Sequence, residues 1–398
     1  MNKIHFPTFE KGQILPIVVI GLIVVISMTA LILDGGSVMV NRRRAQNAAD
    51  AGALAGAHDL CLNKAASIVE ATAKDYAINK NKATNATVSI SGKVITVTTE
   101  IQQNSFFARI FNQSKLTSTA IASAGCFPPS MANRLMPIAW TCINSEVVNN
   151  SVICKNDKKD WATLKANIDS DPNYFKGVSG HMYPEIYIVM DSNSLPTDIV
   201  CASQGGTVNC DVNGDLKDDI VSMGNRSWLD LDGGGGGASE LSSWINSGYN
   251  SSVEIHTWFS SEPGNAASIY EALKNKEGQV VWIVVSDQVC DRDPNTKPAC
   301  IDAAHSRLNN PKPTDTIIAG SSNTYFHAIG FGAFYITCVH SKNGDKCPGF
   351  EAAMDKNPSL KNNTNSVEGY FVTGYPFDLS DVPGGGADMG LYIVSLTK

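Results

Sequence analysis

ILPIVVIGLIVVISMTALIL, residues 14–33, runs for 20 positions without a charge, and its reading decides where the rest of the chain must lie. As a helix rising 1.5 Å per residue it spans about 30 Å, the thickness of a bilayer hydrocarbon core. Pro16 falls in the first turn, where its missing N–H costs least. A core helix of this composition would need protein on every side. The run is also longer than the apolar part of a signal peptide, and no A-x-A site follows it closely. It ends in Leu33-Asp34-Gly35-Gly36, so the expectation is an uncleaved, single-span anchor.

The 10 cysteines bear on which side of the bilayer the bulk occupies. Eight fall into close pairs, 142/154, 201/210, 290/300 and 338/347, a spacing that suits staples across loops or hairpin ends. No C-x-x-C pair of the kind zinc sites use is present. Paired cysteines fit disulfides made in an oxidising compartment. Connectivity stays open at this point; the close pairs would leave Cys61 with Cys126. Arg42, Arg43 and Arg44 after the span outnumber Lys3 and Lys11 before it, which by charge alone favours the opposite orientation. Large domains translocate largely regardless of such charges. The cysteines therefore decide: a single-pass cell membrane protein with a short cytoplasmic tail (1–13), a span at 14–33, and everything from about residue 35 outside the cytoplasm.

Downstream of Asp34 the composition is helical and rich in small residues. Ala45, Ala49, Ala53 and Ala57 recur every four positions and share a helix face, with Gly52 and Gly56 beside them. Such a stripe lets a second helix approach closely, or it packs on the protein's own sheet; the sequence does not choose. Residues 86–91 and 94–101 alternate apolar and polar side chains about a Gly92-Lys93 turn, which predicts a hairpin. Residues 105–111 read as a short helix and 116–124 as a returning strand.

Lys11-Gly12-Gln13-Ile14-Leu15-Pro16, the apolar span, Asp34-Gly35-Gly36, the 41–46 stretch NRRRAQ and the 47–57 stretch NAADAGALAGA together resemble the amino-terminal region of TadG-like proteins of the Tad (Flp) pilus assembly system. The hairpin, the Phe106-Phe107-Ala108-Arg109 helix and the Ala-rich strand are similar to that family too, so the likeness covers about residues 8–126. It implies a membrane-anchored, minor pilin-like envelope component acting in pilus assembly or surface adhesion, partnered by the bilayer and by other Tad pilus components through the Ala45/Ala49/Ala53/Ala57 face. Prepilin-type processing wants Glu five residues after Gly12, and that position is Ile17, so such cleavage is not expected.

The expected fold is α+β: the transmembrane helix continues into a small pilin-like module (34–126), and a larger β-rich, disulfide-stapled domain (127–398) follows. Phe127-Pro128-Pro129-Ser130 marks the break between them, since consecutive prolines exclude regular structure. Strands are expected at 185–190, 279–285, 325–337 and 390–395, and helices at 238–246 and 265–275.

Few motifs in the distal part suggest chemistry. In the 211–219 loop, Asp211, Asn213, Asp215 and Asp219 place oxygens at positions 1, 3, 5 and 9, a spacing that wraps calcium. Leu216 stands where an EF-type loop turns on Gly, and Ser222 where it ends in an acid; the alternative is an Asn-Gly turn with solvated acids. Asp191 follows a strand as in the adhesion motif of von Willebrand factor A domains, but Asn193 and Leu195 replace expected ligands. Gly233 to Gly237 lack the following Gly-Lys-Ser/Thr of a phosphate loop and read as a flexible entry to a capped helix. Neither G-x-S-x-G nor H-E-x-x-H occurs, and the histidines are scattered, His327 reading as a packed core residue. Trp228, Trp244, Trp258, Trp282 and several Tyr residues are candidate adhesive aromatics; Trp282 is expected in the core, and the sequence does not place the others. A net charge of −7 argues against nucleic acid. A non-enzymatic pilus-associated role leads; a membrane-tethered binding or sensor domain with a calcium-stabilised loop is the alternative, and a surface hydrolase the third.

Overall fold

The structure is a computed structural model that describes residues 14–141, 145–148, 151–154, 158–171, 174, 185–189, 202, 208–212, 214, 216, 219–223, 228–262, 267–290, 325–341, 346–358, 365–375 and 384–397. The chain divides into two compact bodies, one of Met1–Leu60, Lys64–Gly125 and Leu396–Lys398, the other of Cys61–Asn63 and Cys126–Ser395.

In the first body a single helix, α1 (Ile14–Cys61), runs for 48 residues, about 72 Å at 1.5 Å per residue. It passes without interruption through Gly35-Gly36, where two glycines cost a helix about 1 kcal/mol each. Within it, Thr29 Oγ1 donates to the Val25 carbonyl at 2.8 Å, and Ser37 Oγ to that of Asp34 at 2.7 Å. The amino-terminal half is apolar and none of it is buried by protein, which suits a single-pass membrane anchor. A second helix, α2 (Ala66–Lys74), widens into a π-helical turn at Asp75–Lys80. Strands β1 (Asn85–Ser91), β2 (Val94–Asn104) and β3 (Lys115–Phe127) follow, all antiparallel. The Gly92-Lys93 turn closes the hairpin with Ser91 opposite Val94, and Gly92 takes φ +58°, open to glycine without strain. Between β2 and β3 the predicted helix contracts to one 3₁₀ turn, Ala108–Phe111. The last residues return to this body, Thr397 N–H donating to the Ser123 carbonyl at 2.8 Å.

The second body is built on a sheet. Among the described residues nine strands join in the order Ile220–Met223, Glu185–Val189, Asn365–Thr373, Tyr325–His340, Trp258–Glu262, Trp228–Asp230, Leu135–Thr141 and Val280–Cys290, with Lys158–Asp160 added beside Asn365–Thr373. Val280–Cys290 also pairs with Tyr325–His340, so five of these strands close on themselves. Helices Gly237–Ser247 and Ala267–Lys274 lie within a residue or two of the predicted ones. Tyr325–His340 extends three residues past the prediction, since Cys338, Val339 and His340 pair with Glu368, Val367 and Ser366. Aromatic side chains fill the centre: Phe371 lies 4.5 Å from Trp140 and 5.1 Å from Phe334, ring to ring.

Cys61–Cys126 and Cys338–Cys347 are disulfides, Cys210 is also disulfide-bonded, and no free cysteine occurs among the described residues. Cys142, Cys201 and Cys300 lie outside the described residues.

Candidate functional site

The carboxyl-terminal half of α1 is the part packed against the rest of its body. Ala45, Ala49, Ala53 and Ala57 are all fully buried, and so is Ala48. Their cover is the body's own sheet and second helix. On β2 every other residue, Ile95, Val97, Thr99 and Ile101, is buried, as a half-covered strand requires. Thr99 Oγ1 donates to the Ala45 carbonyl at 2.7 Å. A Cβ on Gly52 would sit 2.9 Å from the Ala73 carbonyl oxygen and 3.3 Å from Val97 Cγ1; one on Gly56 would sit 2.3 Å from Ile95 Cδ1. The small side chains are therefore the condition for helix and sheet to approach this closely. This corrects the expectation that the Ala45/Ala49/Ala53/Ala57 face meets other pilus components: the face is consumed within the chain, because four-residue spacing names a stripe but not what covers it.

Nearer the span the seam turns polar. Gln103 donates to Ser37 Oγ and accepts from Asn41 Nδ2, and Ser118 Oγ donates to the Val38 carbonyl at 3.3 Å. At the boundary stands Asp34. Its carboxylate accepts from the backbone N–H groups of Phe106, Phe107 and Ala108 at 2.8, 3.0 and 2.7 Å. Desolvation pushes the carboxyl up, but those three donors together with the Arg109 charge outweigh it and hold it below the ordinary carboxylate range. Arg109 in turn donates to the Ser105 carbonyl through Nε and Nη2, at 3.1 and 2.9 Å. Sequence reading missed this contact; the available signal was an acid placed directly after an apolar run. At the far end of α1, Asp59 is buried and bonded to Lys64 Nζ at 2.8 Å. Burial again raises its carboxyl, and Lys64, Thr72 and His58 together bring it below the usual value.

In the second body, Asp211 accepts from the Gly214 and Leu216 N–H groups at 2.5 and 3.1 Å, and buried Asp219 from that of Val212 at 2.7 Å. Leu216 takes φ +68°, a backbone that favours glycine, at the position where a calcium loop turns on one. Asn213 and Asp215 lie outside the described residues, as do Asp191 and Asn193. No group of three metal-binding side chains occurs among the described residues.

The glycine run meets acids. Gly233, Gly234 and Gly236 donate their N–H groups to Asp230, Asp232 and Glu240, and Gly237–Ser247 starts there as a helix. Trp228 is 1% exposed, so it is no surface aromatic, while Trp282 and Trp244 are partly buried against the core. His327 is half-buried and its ring lies 5.0 Å from Trp258 and 5.7 Å from His256.

One ionisable group departs far from its usual state. Glu368 is buried on the strand Asn365–Thr373 and accepts from the Phe350 and Gly349 N–H groups, at 2.5 and 3.2 Å, at the start of the helix Pro348–Lys356. Desolvation dominates over these two donors, with Glu351 and Glu277 nearby, and raises its carboxyl to about 7.

No curated protein and no solved structure matches the chain. Residues 12–59, which include nearly all of α1, match the family model described as putative Flp pilus-assembly TadE/G-like.

Proposed function

We propose that the chain is a membrane-anchored accessory of a Flp-type pilus, with its amino terminus in the cytoplasm and its bulk outside, acting without catalysis in pilus assembly or surface attachment. One observation carries the proposal: the residues that match the pilus-assembly family form a single helix, bare and apolar in one half and locked to a folded module in the other. An anchor built this way presents whatever it holds at a fixed height above a bilayer. The disulfides support the outward orientation, since such bonds persist in oxidising compartments. The lack of a nucleophile elbow or a zincin motif supports a non-enzymatic role.

A strain lacking this chain is expected to lose Flp-type pili or surface attachment, scored by electron microscopy and by retention on glass. Wild-type chain restores both; a chain carrying Val24→Lys and Val25→Lys does not, because charge in mid-span blocks integration. Normal pilus number and normal attachment in the deletion strain would overturn the proposal.

A further inference from the structure

The loop between β2 and β3 lies at the level where the apolar span ends. Asp34 is the first charged residue after that span, and three consecutive backbone N–H groups of the loop, those of Phe106, Phe107 and Ala108, are bonded to it. Among the described residues little covers the leading side chain: Phe106 is 66% exposed, although a large aromatic is seldom left so open. Around it are basic groups, with Arg109 and Lys115 both exposed.

Resting on the membrane reading of α1, we propose that this loop is a second membrane contact, with Phe106 seated among the phospholipid headgroups beside the end of the span. The occupant follows from continuity: the bare apolar surface of α1 reaches Leu33, and the next residue holds the loop in place. The chemistry matches the interface. Aromatic rings settle where one end is apolar and the other wet, and cations beside them suit anionic headgroups. The Asp34 carboxylate supplies the remaining need, because backbone N–H groups facing lipid without a partner are costly. Three of them are here satisfied by one side chain of the anchor itself. The loop thereby fixes the rotation of α1 about its axis as well as its depth, which a lone helix in lipid does not do.

The test uses the full-length chain with Phe106→Trp, reconstituted in vesicles of phosphatidylethanolamine and phosphatidylglycerol. The six native tryptophans all lie at residue 140 or beyond, and their emission is subtracted using the wild-type chain. Lipids brominated near the headgroup are expected to remove most of the added emission, and lipids brominated at the bilayer centre much less. Adding Asp34→Ala is expected to lessen the shallow quenching while vesicle binding persists. If the chain floats with the vesicles yet the added emission responds to aqueous acrylamide and to neither bromolipid, the inference is overturned and the anchor stands. If the chain does not float with the vesicles, the anchor reading falls and this inference with it.

Discussion

Along α1 most of the buried positions are alanines and glycines, whereas the larger body's most deeply buried side chains include Trp140, Trp228, Phe331, Phe350 and Phe371. The two bodies thus exclude water by different means. The first brings backbones close together and gains from many short contacts; the second fills space with rings. A core of the first kind tolerates loss of volume and resists any gain, because there is no room to relax into. A core of the second kind fails in the opposite direction, since removing a ring leaves a cavity.

That contrast is open to direct attack. The largest effect belongs to the aromatic core: Phe371→Ala should cost about 3–5 kcal/mol, the range for deleting a buried ring. All six tryptophans lie in the larger body, so the denaturant midpoint of tryptophan fluorescence reads it directly. An unchanged midpoint would show that this core repacks freely.

Glu368 comes next. Its folded carboxyl titrates near 7, above its unfolded value, so the folded body binds the extra proton between the two. Stability is therefore present below the unfolded value and is lost as pH rises through that window, by up to about 3 kcal/mol for a shift of this size. Glu368→Gln should flatten the slope of unfolding free energy against pH; a slope left intact would assign the titration to another group.

The smallest effect separates the bodies most cleanly. Gly52→Ala improves helix propensity by about 1 kcal/mol, yet its methyl would meet the Ala73 carbonyl, so a net loss of about 1–2 kcal/mol is expected. Gly36→Ala, with nothing within 4 Å, should lose nothing. Amide exchange along β2 reads both, and equal behaviour of the two glycines would dissolve the contrast.

Much of the first body was legible in advance because its signals are local. An alternating pattern around Gly92 fixes a hairpin, and an uncharged run of bilayer length marks the bare apolar half of a helix. What covers the alanine stripe was not legible, since the partner strand is some 50 positions away: Ala45 meets Thr99. The continuation of the helix past the run's end at Asp34-Gly35-Gly36 is as expected, but the loop that holds Asp34 lies some 70 positions away and was not legible. In the larger body, two strands run past their expected ends at Val285 and Thr337 because pairing, not propensity, extends them, and Trp228, which the sequence leaves unplaced, is buried because its neighbours in space are not its neighbours in sequence. Of the calcium set, Asp211 and Asp219 bond to the backbone N–H groups of their own loop.

The unbroken course of α1 has a mechanical consequence. On the proposed reading, a rod gripped along one half by protein and along the other by lipid converts tension on the folded module into axial load. Such load is shared in shear by every contact along the grip, from Ser37 to Ala57, instead of peeling them one after another.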